Sequence, residues 1–240
     1  MKVIKVKDYE ELSEKAADIV IDRMKKHDHP VLGLATGMTP EGLYKKLIEK
    51  NKTGDVDFSK TTTFTLDEYI GLPEDDPNSY HYFMDERFFK HVNLPKENIH
   101  FPSGMADDLQ QECREYEELI TTTGIDLQLL GIGKNGHIGF NEPGTSFKSR
   151  THIVHLNDMT IQANARYFLS IDEVPTKAIT MGIGTILESK EILMLISGKS
   201  KRRAVQSLLD GYVTETFPAS VLHKHPNATV IIDEAALGDA

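Results

Sequence analysis

The sequence has few of the features that mark membrane, secreted or nucleic-acid-binding proteins. It contains one cysteine, Cys113, so no internal disulfide can form. This thiol falls in a charged helical pattern, and we expect it to be structural rather than catalytic. No apolar run approaches the ~18 residues that a membrane span needs. Acidic residues outnumber basic ones by 37 to 27, and the net charge of −10 opposes a nucleic-acid partner, which selects basic surfaces.

Targeting signals and linkers are lacking as well. The first residues, MKVIKVKDYEEL, match neither a secretory signal nor a transit peptide, so we expect a cytoplasmic protein. No repeat or linker interrupts the chain, and its 240 residues can fold as one α/β domain, residues 1–240. The acidic balance still allows an anionic ligand, because a phosphate needs only a few local donors and a helix N-terminus.

Short apolar runs alternate with longer amphipathic stretches along the chain. This order predicts an α/β fold, a single-domain, Rossmann-like, doubly wound and mostly parallel sheet with right-handed crossovers. The predicted strands are Val3 to Val6, Val31 to Ala35, Thr62 to Leu66, Leu127 to Leu130, Thr151 to His155, Ala178 to Met181, Ile192 to Ile196 and Thr229 to Ile232. The predicted helices run from Asp8 to Lys26, Pro40 to Lys50, Asn78 to Val92 (a helix or helical lid), Asp107 to Thr122, Asp158 to Phe168 and Lys199 to Leu209.

The segment from Gly131 to Gly144, GIGKNGHIGFNEPG, carries the most chemistry and directly follows a predicted buried strand. In an open parallel sheet, the loops that leave the carboxyl ends of strands form the ligand crevice. We therefore expect His137 to lie where a small molecule binds, with Asn135 and Glu142 beside it. The alternative is a glycine-rich turn whose histidine is only structural.

A second candidate site is the turn in LGLATGMTPEGLY, between a predicted strand and a predicted helix. Thr39 is the predicted N-cap and Pro40 the first helical residue. Free backbone N–H groups there and the hydroxyl of Thr36 suit a phosphate, Gly37 permits close approach, and Met38 lies in the same turn. The motif is neither a Walker loop nor a dinucleotide fingerprint, and a simple strand-to-helix turn would explain it equally well.

An acidic pair, Asp67 and Glu68, stands at the carboxyl end of the third predicted strand. A carboxylate that faces a crevice there can act as a general base, particularly when desolvation raises its proton affinity. Adjacent residues of an extended chain point in opposite directions, so only one of the two should face the ligand. An exposed turn or a helix cap is the competing explanation.

Two cations farther along the chain, Arg166 and Lys201, could close on a phosphate. Arginine offers a planar fork and lysine a point charge, which is a common division of roles at phosphates. Simple solvation at the surface is the alternative for either cation alone.

The segments LDEYIGL, GIGKNGHIGFNEPG and SRT resemble those of the glucosamine-6-phosphate deaminase family, in the expected order and over nearly the whole chain. The resemblance implies a Rossmann-like fold shared with phosphogluconolactonases and ribose-phosphate isomerases. It also implies the conversion of D-glucosamine 6-phosphate and water to D-fructose 6-phosphate and ammonium, in amino-sugar catabolism, with no metal and no organic cofactor.

The resemblance further implies a role for each matching residue. Asp67 resembles the base that takes the proton at carbon 2 of the opened sugar, and His137 resembles the ring-opening acid or base, assisted by Glu142 and Asn135. Some members carry Asp where this chain has Asn135, and an amide cannot stabilise an imidazolium with a full charge. The positions that match the substrate and phosphate end are Thr36, Gly37, Met38, Thr39, Glu68, Arg166 and Lys201.

A second departure from the family concerns regulation. Hexameric members that N-acetylglucosamine 6-phosphate activates place Arg and Lys just after the SRT segment, whereas this chain has Val154 and His155 there and ends early at Ala240. We therefore expect an unregulated monomer or small homo-oligomer. The pairs His152 with His155 and His223 with His225 fit a strand or surface turn better than a metal site.

Two other functions remain open from the sequence. A sugar-phosphate lactonase of the same fold would hydrolyse an ester and need no isomerising base. Lactonases of that family have a sequence resembling Asp-Glu-Arg at the position where this chain has Asp67, Glu68 and Tyr69. A sugar-phosphate sensor of a transcription regulator would need an attached DNA-binding unit, and no basic helix-turn-helix pattern is present. Fold alone decides neither, so the choice depends on the site residues.

Overall fold

The structure is a computed structural model that describes residues 1–156, 161–162, 165, 168 and 170–238. Its centre is a seven-stranded sheet with every pairing parallel, in the order β1-β10-β9-β6-β2-β3-β5. These strands are β1 (Lys2–Val6), β2 (Val31–Leu34), β3 (Thr62–Thr65), β5 (Ile99–His100), β6 (Leu127–Leu130), β9 (Glu191–Ile196) and β10 (Ala228–Asp233). The predicted doubly wound α/β fold is confirmed.

A second, three-stranded sheet lies beyond the carboxyl end of β3. It is antiparallel, in the order β4-β8-β7, with β4 at Asp67–Tyr69, β7 at His152–His155 and β8 at Lys177–Thr180. Leu66 joins the two sheets, because its N–H donates to Leu34 in β2 while its carbonyl accepts from Met181. The predicted third strand, Thr62 to Leu66, therefore ends one residue early, at Thr65, and Asp67 begins a strand of a different sheet.

Helices flank the central sheet. Within the described residues they are α1 (Tyr9–Met24), α2 (Met38–Lys52), α3 (Tyr80–Arg87), α4 (Leu109–Thr123), α5 (Ile183–Leu187), α6 (Arg202–Leu209) and α7 (Glu234–Leu237). A carboxylate caps α1 as predicted, since the side chain of Asp8 accepts the Glu11 N–H at 3.0 Å. The helix predicted from Asp158 to Phe168 lies largely outside the described residues.

The start of α2 differs from the prediction. Gly37, not Thr39, is the N-cap, and the helix begins at Met38. Gly37 has φ 98°, a conformation that glycine adopts without the strain a side chain would bring. Two other predicted helices are shorter than expected, because α3 is followed by a separate 3₁₀ turn at Phe89–His91 and Lys199–Lys201 is a 3₁₀ turn before α6.

The core lies between the central sheet and its helices. Every residue of β2 and β6 is buried, as expected for parallel strands covered on both faces. Cys113 is also buried, on α4, and burial raises the pKa of its thiol to about 11, which fits a structural role. Across the part of the chain that the structure describes, no helix is both long enough and apolar enough to cross a membrane.

Candidate active site

The loop after β6 carries a hydrogen-bonded chain of three side chains. Asn135 lies between Glu142 and His137: its Nδ2 donates to Glu142 Oε2 at 2.7 Å, and its Oδ1 lies 2.7 Å from His137 Nδ1. Because the amide nitrogen faces the carboxylate, the amide oxygen must face the imidazole and can only accept a hydrogen bond. The proton therefore lies on Nδ1, and Nε2 is the nitrogen available for acid–base chemistry.

The buried environment of His137 favours the neutral imidazole. Burial lowers the pKa of the imidazole, the Glu142 carboxylate acts in the opposite direction, and the Lys201 ammonium lowers the pKa again. Glu142 Oε1 lies 3.6 Å from His137 Nδ1, so the carboxylate supports the ring as well as the amide. A neutral imidazole with one oriented nitrogen can both accept and return a proton near neutral pH.

Asp67 is the second titratable group of the site. It is 6% exposed, and desolvation together with the neighbouring Glu68 raises the pKa of its carboxyl to about 8. Within the described residues its carboxyl has no hydrogen-bond donor as a partner. A buried carboxyl with its pKa near the physiological range is suited to general-base catalysis.

The histidine loop lies directly against Asp67. A Cβ placed on Gly139 would be 3.4 Å from Asp67 Oδ2 and 3.0 Å from Thr180 Oγ1, so a side chain there would crowd the Thr180 hydroxyl, and the φ of 57° also favours glycine. Thr180 pairs with Asp67 between β4 and β8. The structure thus brings together the predicted base and the predicted histidine loop, which are about 70 residues apart in the sequence.

Two polar residues that the sequence did not single out hold this arrangement. The hydroxyl of Thr180 accepts the Phe140 N–H at 3.1 Å. Asn141 is fully buried, and its Nδ2 donates to the carbonyls of Ile138 and Met181, each at 2.9 Å. These bonds tie the histidine loop to the end of β8. No sequence signal marks Thr180, whereas Asn141 lies inside the motif GIGKNGHIGFNEPG.

Glu68 points away from Asp67, as extended geometry requires. It is 4% exposed, and its carboxylate accepts three backbone N–H groups, from Tyr69 at 2.8 Å, Tyr80 at 3.0 Å and His81 at 2.9 Å. Burial raises the pKa of this carboxyl, and the three hydrogen bonds act in the opposite direction. Glu68, expected among the substrate-binding residues, is thus already bonded to the first turn of α3.

Lys201 contacts the histidine loop, residues 131–144. Its Nζ donates to the carbonyl of Ile132 at 2.6 Å, and burial, followed by repulsion from Lys134, lowers the pKa of the ammonium. The Lys201 ammonium also lowers the pKa of His137. Arg166, the other predicted cation, lies outside the described residues.

The turn before α2 follows β2, and the histidine loop follows the neighbouring strand β6. After β2 the chain continues to β3 on one side of this pair, and after β6 it returns to the central sheet at β9 on the other side, so a crevice is expected between the two turns. Space is open where a side chain on Gly37 would project, and Met38 is 64% exposed. The hydroxyl of Tyr9 accepts the Gly42 N–H at 2.8 Å and lies within 3.0 Å of the carbonyls of Met38 and Thr39, which fixes the first turn of the helix.

Potential metal ligands are not clustered in the part of the chain that the structure describes, where no three His, Cys, Asp or Glu side chains come together. The histidines that the sequence paired contact backbone carbonyls instead. His152 Nδ1 lies 2.7 Å from the Arg150 carbonyl, and His225 Nε2 lies 2.9 Å from that of Ser189.

The fold brings the Asp67 carboxyl and the loop of His137 together, an arrangement suited to acid–base chemistry. The sequence profile of the glucosamine-6-phosphate isomerases and 6-phosphogluconolactonases matches residues 7–231, and the chain belongs to that family. It is 60% identical over 237 residues, 98% of each sequence, to a Bacillus subtilis (strain 168) protein named glucosamine-6-phosphate deaminase 1. It is 59% identical over 239 residues, 99% of each sequence, to a Bacillus velezensis protein named glucosamine-6-phosphate deaminase.

Solved structures give the same family. One described as a monomeric glucosamine-6-phosphate deaminase matches with a TM-score of 0.97 and 59% identity over 99% of both chains. A 6-phosphogluconolactonase from Trypanosoma brucei matches with a TM-score of 0.82 over 99% of this chain and 98% of its own, but at 15% identity it shares the fold alone. The resemblance stated from the sequence motifs is confirmed.

Proposed function

We propose that this chain is a glucosamine-6-phosphate deaminase that converts D-glucosamine 6-phosphate and water to D-fructose 6-phosphate and ammonium. The observation that carries the proposal is the buried Asp67 carboxyl, which faces the loop of His137 and is poised to titrate near pH 8. Isomerisation of an amino sugar needs such a base, since a proton must leave carbon 2. The identity to named deaminases over nearly the full length supports the same reaction.

The chemistry divides between the two groups. His137 Nε2 takes the proton of the ring hydroxyl at carbon 1 and a proton returns to the ring oxygen, which opens the sugar to its aldehyde. Asp67 then removes the proton at carbon 2 and the aldehyde oxygen takes up a proton, which gives an enolamine. A proton is added at carbon 1 and the amino nitrogen gives up one proton, leaving an imine at carbon 2. Water adds to the imine, the nitrogen departs as ammonia, and the ketone of fructose 6-phosphate remains.

We propose the residues that bind the phosphate group of the substrate from their charge and their position in the chain. Lys201 and Arg166 supply cations, and the turn of Thr36, Gly37, Met38 and Thr39 supplies backbone donors at the start of α2. The proposal takes residues 1–240 as one domain that acts without metal or organic cofactor. A phosphorylated substrate is retained inside cells, so we place the enzyme in the cytoplasm, and we propose a monomer or small homo-oligomer because a highly similar structure is described as monomeric.

Detection of both products from one substrate tests the proposal. Glucosamine 6-phosphate, with no metal added, should yield ammonium and fructose 6-phosphate in equal amounts. The lactonase alternative predicts hydrolysis of 6-phosphogluconolactone instead and no ammonium. Lactone hydrolysis without deamination would replace the proposed function.

A further inference from the structure

Glu68 connects two elements of the site, β4 and α3, through its carboxylate. Oε1 accepts the N–H groups of Tyr69 in its own strand and Tyr80 in α3, while Oε2 accepts that of His81. The first N–H groups of a helix have no partner within the helix, and a negative charge at that end is stabilising. One buried side chain therefore fixes α3 on β4, the strand that carries Asp67.

The helix that Glu68 holds carries an aromatic contact to the histidine loop. The ring of Tyr80 is stacked on Phe140, with centroids 6.0 Å apart and planes 8° from parallel. It also packs on Tyr69, with centroids 4.8 Å apart and the two hydroxyl oxygens 3.3 Å apart. Phe140 lies between His137 and Glu142 in the sequence, so α3 packs against the same loop that carries these two residues.

The charge of Glu68 also acts on Asp67. It raises the pKa of the Asp67 carboxyl in addition to the larger effect of burial. The other titratable groups in the described residues that interact with Asp67 are Tyr80 of α3 and Tyr116 of α4, both with pKa values raised by burial and therefore neutral. Glu74 adds a like charge near Glu68 itself. Glu68 is thus the ionised neighbour that tunes the base.

We propose that Glu68 is a positioning residue of the site rather than a substrate ligand: it seats α3 and the Tyr80 ring against the histidine loop and keeps a negative charge beside Asp67. This proposal rests on the deaminase activity proposed above for its kinetic tests, but its structural tests do not need turnover. Oε1 already accepts two backbone N–H groups and Oε2 one, and Glu68 is only 4% exposed, so a sugar hydroxyl has little access to this carboxylate.

Three variants separate charge from position. Glu68→Gln removes the charge and replaces one acceptor with a donor, Glu68→Asp keeps the charge but shortens the reach to the α3 N–H groups, and Asp75→Asn removes an exposed carboxylate close in sequence as a control. All three are compared with the wild type for kcat, KM and the dependence of kcat/KM on pH. Circular dichroism verifies that each variant is folded.

Glu68→Gln should lower kcat and move the acid limb of kcat/KM to lower pH. The value of kcat/KM at pH 6.5, divided by the value at pH 9, should rise about three- to tenfold, because each unit of pKa changes the ionised fraction of the base tenfold. Glu68→Asp should lower kcat and leave the limb at or above its wild-type position. Asp75→Asn should change neither. A raised KM in Glu68→Gln with unchanged kcat and an unmoved limb would show that Glu68 binds substrate, and would overturn the proposal.

Hydrogen exchange supplies the test that is independent of catalysis. The amides of Tyr80 and His81 should exchange faster in Glu68→Gln and Glu68→Asp than in the wild type or in Asp75→Asn, and a carbon-13 titration should show a lower pKa for Asp67 in Glu68→Gln only. If the wild type releases no ammonium, the deaminase function fails while these two measurements still decide the role of Glu68. Unchanged exchange in both Glu68 variants would overturn it.

Discussion

The amide oxygen of Asn135 and the Nδ1 of His137 are 2.7 Å apart, and this contact sets which nitrogen of the imidazole is basic. The amide is itself held in one orientation by Glu142. A neutral amide can fix the tautomer by geometry alone, so an aspartate is not required for that task. What the amide cannot do is stabilise an imidazolium with a full charge.

Substitution of Asn135 separates these two effects. Asn135→Leu removes the acceptor and should lower kcat by roughly 10²-fold or more, since loss of the tautomer-fixing partner disables a catalytic histidine. Asn135→Asp keeps the acceptor, adds a charge and should raise the pKa of His137 while retaining activity. Nitrogen-15 spectra of the imidazole report both tautomer and pKa. An unaltered tautomer and full turnover in Asn135→Leu would contradict this role.

Asp67→Asn should be more stable than the wild type at high pH. The folded-state pKa of Asp67, about 8, is above its unfolded value, about 4, so the folded state binds the proton more tightly and stability falls as pH rises between these values. The variant lacks this loss and should gain up to a few kcal/mol in free energy of unfolding above pH 8, because one pKa unit corresponds to about 1.4 kcal/mol.

Urea unfolding of wild type and Asp67→Asn at pH 5 and pH 9 measures this gain, with the exposed Asp75→Asn as the control that should show no trend. Equal stability differences between wild type and Asp67→Asn at the two pH values would mean that Asp67 is not a desolvated carboxyl.

Neutralisation of Lys201 should weaken substrate binding. Lys201→Gln should raise KM more than it lowers kcat, because binding energy lost equally from ground and transition states is expressed in KM. Lys199→Gln removes an exposed cation two residues away and should leave KM unchanged. Glucosamine without its phosphate should be a poor substrate for the wild type. Efficient deamination of free glucosamine would remove the basis for a phosphate role of Lys201.

Saturation with glucosamine 6-phosphate should be hyperbolic, and N-acetylglucosamine 6-phosphate should act at most as a competitive inhibitor. Val154 and His155 supply no fixed cation pair, and Arg150 is engaged by Glu117 at 2.5 Å and by Glu188 at 2.6 Å. An effector shifts an equilibrium only through differential affinity for two states. Initial rates measured with and without N-acetylglucosamine 6-phosphate test this expectation, and light scattering gives the mass of the enzyme in solution. Sigmoidal saturation curves that become hyperbolic when the acetylated sugar phosphate is added would reveal a regulatory site.

The sequence predicted six of the seven strands of the central sheet, because most of them contain short apolar runs between turn signals, but it missed β5, which has only two residues. β4 could not be predicted, since Asp67–Tyr69 has three residues and no apolar run, and its pairing with β8 depends on contacts more than 100 residues away in sequence. The start of α2 was misplaced because Thr39 matched a cap preference, whereas the positive φ of Gly37 decides where the helix begins.

The site shows the same division between local and distant information. His137, Asn135 and Glu142 lie within eight residues, so their contact is a property of one loop that the sequence could indicate. Thr180 and the α3 amides reach the site only through tertiary packing. A helix cap is one of the explanations that the sequence offers for the acidic pair. The sequence does not show that Glu68 caps the helix that begins 12 residues farther along the chain, because that contact depends on tertiary packing.

The most direct test of Asp67 as the isomerising base is the pH dependence of kcat/KM with glucosamine 6-phosphate carrying hydrogen or deuterium at carbon 2. We expect an acid limb with a midpoint near pH 8, a rate about 100-fold below the plateau at pH 6, a primary isotope effect, and a loss of roughly 10²–10⁴-fold in Asp67→Asn. A pH profile flat from 6 to 9, or near-wild-type turnover in a folded Asp67→Asn, would contradict it.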